Sequence, residues 1–291
     1  MTGRMTGHMT ARRTLRMRWR TDWPLWLLWA GTWLAVALLV LIVGTVLVRG
    51  APVLSWRFLV DAPSQAGAAG GIGVTILGTL AVAVLGVLLA APLGVGAAVY
   101  LVEYTREGRT TRLIRAATEA LAGVPSIVLG LFGFALFVRF LNLGWSVLSG
   151  ALTLACMILP TVVRTSEEAL RAVPPLHRDV ALSLGASRWE AVRHVIIPAA
   201  APGILTGLVL GMGRAVSETA AVIFTAGVAL EAPRSLFDST RTMAVHFYTL
   251  TMESISDRMA DGTAAVLVLT VLCINAVAYV LLHLATRRYR T

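Results

Sequence analysis

Six long apolar runs, parted by shorter polar segments, organise the chain. They cover Leu25 to Val48, about Gly73 to Val102, Leu121 to Val138, Val147 to Val163, Pro202 to Val228 and Thr263 to Leu284. Each is near the length a helix needs to cross about 30 Å of hydrocarbon, given some tilt. The runs are continuous and do not alternate apolar with polar positions, which excludes a transmembrane β-barrel. The predicted fold class is therefore an all-α membrane protein with six transmembrane helices.

Between the fourth and fifth runs the pattern changes. Residues 164–198 read RTSEEALRAVPPLHRDVALSLGASRWEAVRHVIIP, with five arginines. Thr165 with Glu168 fits a capping box and predicts a helix start. Pro174 and Pro175 stop that helix. Leu176, Val180 and Leu184 then recur every fourth residue as an apolar stripe. Gly185 falls where a left-handed cap residue belongs. Ser187 and Glu190 make a second capping box, opening a helix with Trp189, Val192 and Ile196 on one side and Pro198 at its end. Apolar ridges on a polar insert need cover, either from the ends of the protein's own spans or from a partner.

Composition supports the membrane reading. Hydrophobic residues make up 57% of the chain, charged residues 14%, and mean hydropathy is +0.78; a soluble domain carries roughly 25% charged residues. The net charge of +10 comes from 25 arginines and no lysine. With the amino terminus inside, 18 arginines fall in the tail up to Arg20, in the loop with Arg106 to Arg115, in the insert and in the carboxyl tail. Six fall outside, namely Arg49, Arg57, Arg139, Arg234, Arg241 and Arg258. That bias places both termini and the insert in the cytoplasm. The charge is then a topological signal, and no nucleic acid is expected as a partner. The opening MTGRMTGHMTARRTLRMRWR has no cleavage site after a short apolar core, so an uncleaved first span is expected. Outside, residues 49–71 end in APSQAGAAGG, read as a flexible approach, and His246 sits in the second outer loop as an ordinary polar residue. Cys156 and Cys273 lie in apolar runs and read as inert thiols. No cluster has metal-ligand spacing, and nothing resembles a nucleotide-binding loop.

The fifth run holds two charges, Arg214 and Glu218. An isolated ion there costs at least about 2.5 to 3.5 kcal/mol, so it needs a partner or a watery path. Their spacing predicts neighbours on one helix face. Gly203, Gly207 and Gly211 fall with them within roughly an 80° arc, which predicts a close-packing face that also carries the charges. Two readings stand: an ion pair that pins this helix to its neighbour, or an Arg214 that offers a positive site to an oxyanion while Glu218 positions it. In GVPSI, Pro125 bends or breaks the third run and can present Ser126 to a cavity or simply aid packing.

These residues carry a resemblance. DVALSLGASRWEAVRHVIIP resembles the EAA loop of ABC-importer permeases, with Asp179, Val180 and Ala181 for Glu-Ala-Ala, then Gly185, then Val195, Ile197 and Pro198. GIGVTILGTL, APLGVGAAVYLVEYTREGR, LAGVPSIVLGLFG and RAVSETAAVIFTAG are similar to successive blocks of phosphate-specific permease subunits of the PstA type. One departure is Ser217-Glu218-Thr219-Ala220-Ala221, where that family usually reads Gly-Glu-Thr-Ala-Pro. The resemblance implies a type I ABC importer permease fold in a multi-pass protein of the bacterial inner membrane. It divides the chain into a basic cytoplasmic tail (1–24), a first transmembrane helix (25–48), an extracytoplasmic loop (49–71), a permease domain (72–285) with its coupling loop (164–198), and a tail (286–291). It implies ATPase coupling through Asp179, Ala181, Leu182, Gly185 and Ala186, and a substrate pathway including Arg214, Glu218, Thr219 and Ser126. No catalytic residue and no cofactor are expected on this chain, with ATP-Mg on the partner ATPase. The implied partners are a PstC-type permease, a PstB-type ATPase dimer, a PstS-type phosphate-binding protein and inorganic phosphate. Rival readings are an importer of sulfate or molybdate, an ion-coupled secondary transporter and a membrane enzyme. Against the secondary transporter stands the lack of paired broken helices in the hydropathy pattern; against the enzyme, the lack of a nucleophile-base set in the spans.

Overall fold

The computed structural model of the chain describes residues 23–106 and 108–288. The arginines of the amino-terminal tail from Arg4 to Arg20, and Arg290, lie outside the described residues. Helix α1, Trp23–Gly50, is apolar on every side, as suits a helix surrounded by hydrocarbon. Up to Val48 it forms a body of its own.

The second body begins at Arg49. A 3-10 turn, Ala51–Val53, leads to α2, Trp56–Val60, whose start is capped by the Ser55 hydroxyl accepting from Phe58 N–H. A two-stranded antiparallel hairpin follows, β1 Pro63–Ser64 against β2 Ala69–Gly70, with Pro63 opposite Gly70. Next come α3, Gly73–Val99, α4, Arg109–Ala122, α5, Ser126–Gly133, and α6, Val147–Ala172. The polar insert supplies α7, Pro175–Ser183, and α8, Arg188–Ala191. The chain finishes with α9, Ile197–Ser217, α10, Ala220–Thr225, α11, Met243–Met252, and α12, Asp257–Arg288. Among the described residues, three π turns interrupt the regular geometry: Tyr100–Tyr104 after α3, Phe134–Phe140 after α5, and Val192–Ile196 between α8 and α9.

Among the described residues, five helices are long and apolar enough to cross a membrane, and the bent pair Arg109–Ala122 with Ser126–Phe140 makes a sixth crossing if counted as one span. The third run, expected to bend or break at Pro125, is two arms at 99°. Pro125 lacks an N–H and has extended ψ, which ends the helical ladder there. α6 also runs further than expected, for 26 residues. Thr165 does not cap a new helix; its hydroxyl donates to Thr161 O at 2.8 Å inside α6. Ser166 and Leu170 remain fully buried beyond it, so packing carries the helix past the polar residues. Pro198 does not end a helix either. The π turn before it absorbs the missing donor, and Arg188–Ser217 runs on as one span.

α3, α6 and α9 form the centre. Val82, Ala83 and Ala90 of α3 meet Leu154, Met157 and Ile158 of α6 and Ala215 and Val216 of α9. Burying one such side chain contributes about 1.5 to 3 kcal/mol in soluble proteins; in lipid, close packing supplies the drive instead. That makes the small residues decisive. A Cβ on Gly203 would sit 2.5 Å from Ala169 Cβ, and one on Gly207 would fall inside Thr165. The glycine row is thus a packing face, as expected, and it lies on α6. A second cluster joins the end of α3, the end of α6 and the start of the Arg188–Ser217 span, with Ala98 and Val99, Leu170 and Val173, and Val192 and Ile196.

The outer segment read as flexible is folded. Ile72 N–H donates to Phe58 O at 2.7 Å and Gly73 N–H to Asp61 O at 3.1 Å. Side chains at Gly71 or Gly73 would strike the carbonyls of Phe58 and Val60. The glycines there serve close backbone approach, which composition alone reads as looseness.

Candidate functional site

The first site is the outward face of α7. Its stripe is exposed: Leu176 at 67%, Val180 at 49% and Leu184 at 82%. Asp179, Leu182 and Gly185 are exposed with it, Ala186 is half-buried, and Ala181 is buried against the body. The residues expected to couple therefore divide into an outward face and one inward anchor. Gly185 has φ +88°. Its N–H donates to Leu182 O at 3.0 Å and Ala186 N–H to Ala181 O at 3.1 Å. That pair of bonds closes α7 in a Schellman turn, which needs the left-handed residue. Ser187 and Glu190 form the expected reciprocal capping box, and Ser187 holds the Glu190 carboxyl below the usual range by hydrogen bonding. On the next helix the expected side is split, with Val192 and Ile196 buried and Trp189 exposed.

The second site is a break in the fifth span. α9 ends at Ser217, and Glu218 has extended backbone, φ −75° and ψ 131°. Glu218 and Arg214 are therefore not neighbours on one helix, and among the described residues no ion pair joins them. Glu218 instead accepts from Ala221 N–H at 3.2 Å, across the start of α10. Proline at 221, usual in the resembled family, has no N–H for that bond; the break persists here without it. Arg214 is exposed while its neighbours Ala215 and Val216 are buried. It lies off the glycine packing face, contrary to the helical-arc expectation, because α6 covers Ala215 and Gly211 at that level.

The two broken spans meet. A Cβ on Gly130 of α5 would lie 2.8 Å from Ala221 Cα and 2.9 Å from Ala220 O. An adjoining cleft of about 1100 Å³ is lined by Ile127, Leu131 and Phe134 on one side and Thr219, Ile223 and Phe224 on another. Thr219 thus reaches the cleft. Ser126, half-buried, begins α5 one residue before its lining. Hydropathy had shown no pair of broken helices; the structure has one, so that ground for excluding an ion-coupled transporter fails. What excludes it is the likeness reported below.

Sequence reasoning missed a third feature. Arg178 on α7 pairs with Glu103 at the end of the α3 span, Nη2 to Oε1 at 2.6 Å. Nearby, Glu167 of α6 receives Arg115 of α4 at 2.9 Å and Arg171 at 2.8 Å. Glu103 was the available signal: an acid closing a long apolar run.

The fold is that of permeases of type I ABC importers. The inward-facing MetNI methionine ABC transporter matches with TM-score 0.60 over 72% of this chain and 93% of that one, at 18% identity. A bacterial ABC transporter that imports the acidic polysaccharide alginate matches with TM-score 0.58 over 90% and 98%, at 14% identity. Residues 90–291 match the family described as binding-protein-dependent transport system inner membrane component, and the chain belongs to that family. A probable ABC transporter permease protein, YqgI of Bacillus subtilis, is 34% identical over 83% of this chain and 88% of its own length. Phosphate transport system permease protein PstA 1 of Mycobacterium tuberculosis is 35% identical over 76% and 73%. The chain is accordingly a multi-pass inner-membrane permease subunit of an ABC importer and a non-catalytic component. Permeases of this class work with an ATPase, a second permease and a binding protein.

Proposed function

We propose that the chain is the PstA-type permease subunit of a phosphate importer. The observation that carries this is Arg214: an exposed guanidinium in the last turn of a spanning helix, with no carboxylate paired to it among the described residues, directly before a helix break. A charge in that place is costly against lipid and favourable beside a watery path. Its planar fork suits a tetrahedral oxyanion. Similarity to phosphate transport system permeases of Mycobacterium and Pasteurella supports phosphate as that oxyanion. In this reading Glu218 fixes the start of α10, and Thr219 and Ser126 offer hydroxyls along the path. A second, PstC-type permease covers the apolar cleft between α5 and α10. A PstB-type ATPase dimer, holding ATP-Mg, receives the exposed face of α7, and a PstS-type binding protein docks outside. Both termini are cytoplasmic.

The test is uptake of labelled phosphate by the reconstituted four-component importer, with sulfate and molybdate as competitors. Wild type should take up phosphate only with ATP and binding protein. Arg214→Gln should lower uptake at least tenfold while the complex still assembles. Full transport by Arg214→Gln would refute the charge role, and equal transport of sulfate would refute the substrate assignment.

A further inference from the structure

Arg178 makes a set of contacts that a surface arginine of a topological cluster does not. Its Nε donates to both Glu103 oxygens, at 3.0 and 3.2 Å, and its Nη2 reaches Glu103 Oε1. Its Nη1 donates to Val173 O and its Nη2 also to Leu170 O, both at 2.9 Å. The Glu103 side chain is only 8% exposed and that of Arg178 only 22%. Three elements therefore converge on one guanidinium. Glu103 belongs to the π turn that ends the α3 span, Leu170 and Val173 close α6, and Arg178 itself rides on α7. The Leu170 carbonyl takes a long 3.4 Å bond from Val173 N–H at the end of α6, and a cation placed there gives it a second, shorter partner. Ala181 is the one buried residue of α7, so apolar packing alone fastens this helix weakly. Lysine could supply the charge but not the fork that reaches a carboxylate and two carbonyls together.

We propose that Arg178 and Glu103 are a positioning pair that locks α7 to the cytoplasmic ends of α3 and α6. Displacement of α7 is then carried into two spanning helices at once. This rests on reading α7 as the surface that an ATPase moves. The pair touches neither nucleotide nor transported solute; it acts through the helices it joins.

The experiment uses the complete importer in lipid nanodiscs and proteoliposomes, with Arg178→Lys, Arg178→Gln and Glu103→Gln. The readout is solute moved per ATP hydrolysed, normalised to assembled complex. All three variants should lower that ratio by about fivefold or more, the lower end of common coupling strengths. A role in folding alone would reduce the amount of complex and leave the ratio unchanged, which would overturn the proposal. A wild-type ratio in Arg178→Lys would also overturn it, since the fork would then be dispensable. A second measurement needs no solute. Spin labels at His177→Cys on α7 and Leu93→Cys on α3, with Cys156 and Cys273 replaced, should report one narrow distance in the parent and a broad one in Arg178→Gln. An unchanged narrow distance would overturn the lock. Absence of phosphate uptake by the parent complex, with the distances behaving as expected, would overturn only the substrate assignment and support the lock.

Discussion

Gly185 isolates a single physical variable. A Cβ placed there meets nothing within 4 Å, and the same is true of Gly96 in α3. The two positions differ in backbone: Gly185 has φ +88°, while Gly96 is within a regular helix. Steric crowding within the chain therefore contributes at neither site. Alanine in the left-handed region costs about 1 to 2 kcal/mol, β-branched residues cost more, and asparagine costs less. Alanine in place of a helical glycine stabilises by roughly 0.5 to 1 kcal/mol. One substitution should thus act with opposite sign at the two sites. If the Schellman turn is the conformation that the ATPase binds, apparent affinity falls with the fraction of chains holding it. A cost of about 1 to 2 kcal/mol then weakens binding roughly 5- to 30-fold. The assay is titration of nanodisc-embedded permease pair with purified ATPase, followed by uptake. The expected order of affinity is glycine, asparagine, alanine, valine at 185, with Gly96→Ala close to wild type. Wild-type affinity for Gly185→Val, or equal damage from alanine at both positions, would refute the reasoning.

Ala221→Pro removes the N–H that Glu218 accepts from, at a net cost of about 0.5 to 1.5 kcal/mol. Proline is tolerated in a first helical turn, so this variant should assemble and transport within a few-fold of wild type; failure to insert would show that the bond is indispensable. His246 is 1% exposed, and burial, with Arg241 adding to it, holds its pKa down to about 4. Its neutral form is the native one. The unfolded histidine takes up a proton below its ordinary pKa of 6.5, so stability is full above that value and falls as pH drops toward 4. The loss from this group is about 2 kcal/mol at pH 5. Thermal inactivation of the detergent-purified chain should show that acid sensitivity, and His246→Gln should flatten it; an unchanged pH profile in the variant would refute the assignment.

Much of the fold was legible because long apolar runs have few alternatives in a bilayer. Run length does not report straightness, however, and the third and fifth runs proved to be broken. Pro125 gave notice of the first break. Nothing in the residues at Ser217 to Ala220 announces the second except its charge, because a helix leaving its ladder beside a cleft is decided by tertiary contact. The capping boxes show the same limit. Ser187 with Glu190 follows a Schellman turn and caps a real helix. Thr165 with Glu168 has the same letters, yet Thr165 lies opposite Gly207 in a packed crossing, where burial of Ser166 and Leu170 outweighs a local cap. His246 read as an outer-loop residue because its burial comes from the hairpin turn at Gly67, far away in sequence. Arg178 was counted for topology, since its partner lies 75 residues away.

α6 is anchored at both ends. At its start, Ser146 N–H donates to Thr225 O, and Val147 and Leu148 N–H donate to Asp238 O and Leu236 O. At its finish, the carbonyls of Leu170 and Val173 are held by Arg178. Its 26 residues make a rod of about 39 Å between those moorings. Adding a single amino acid midway would turn one mooring about 100° around the axis relative to the other. Homologous chains should therefore keep the number of residues from Ser146 to Val173 fixed, as a ruler between the two moorings.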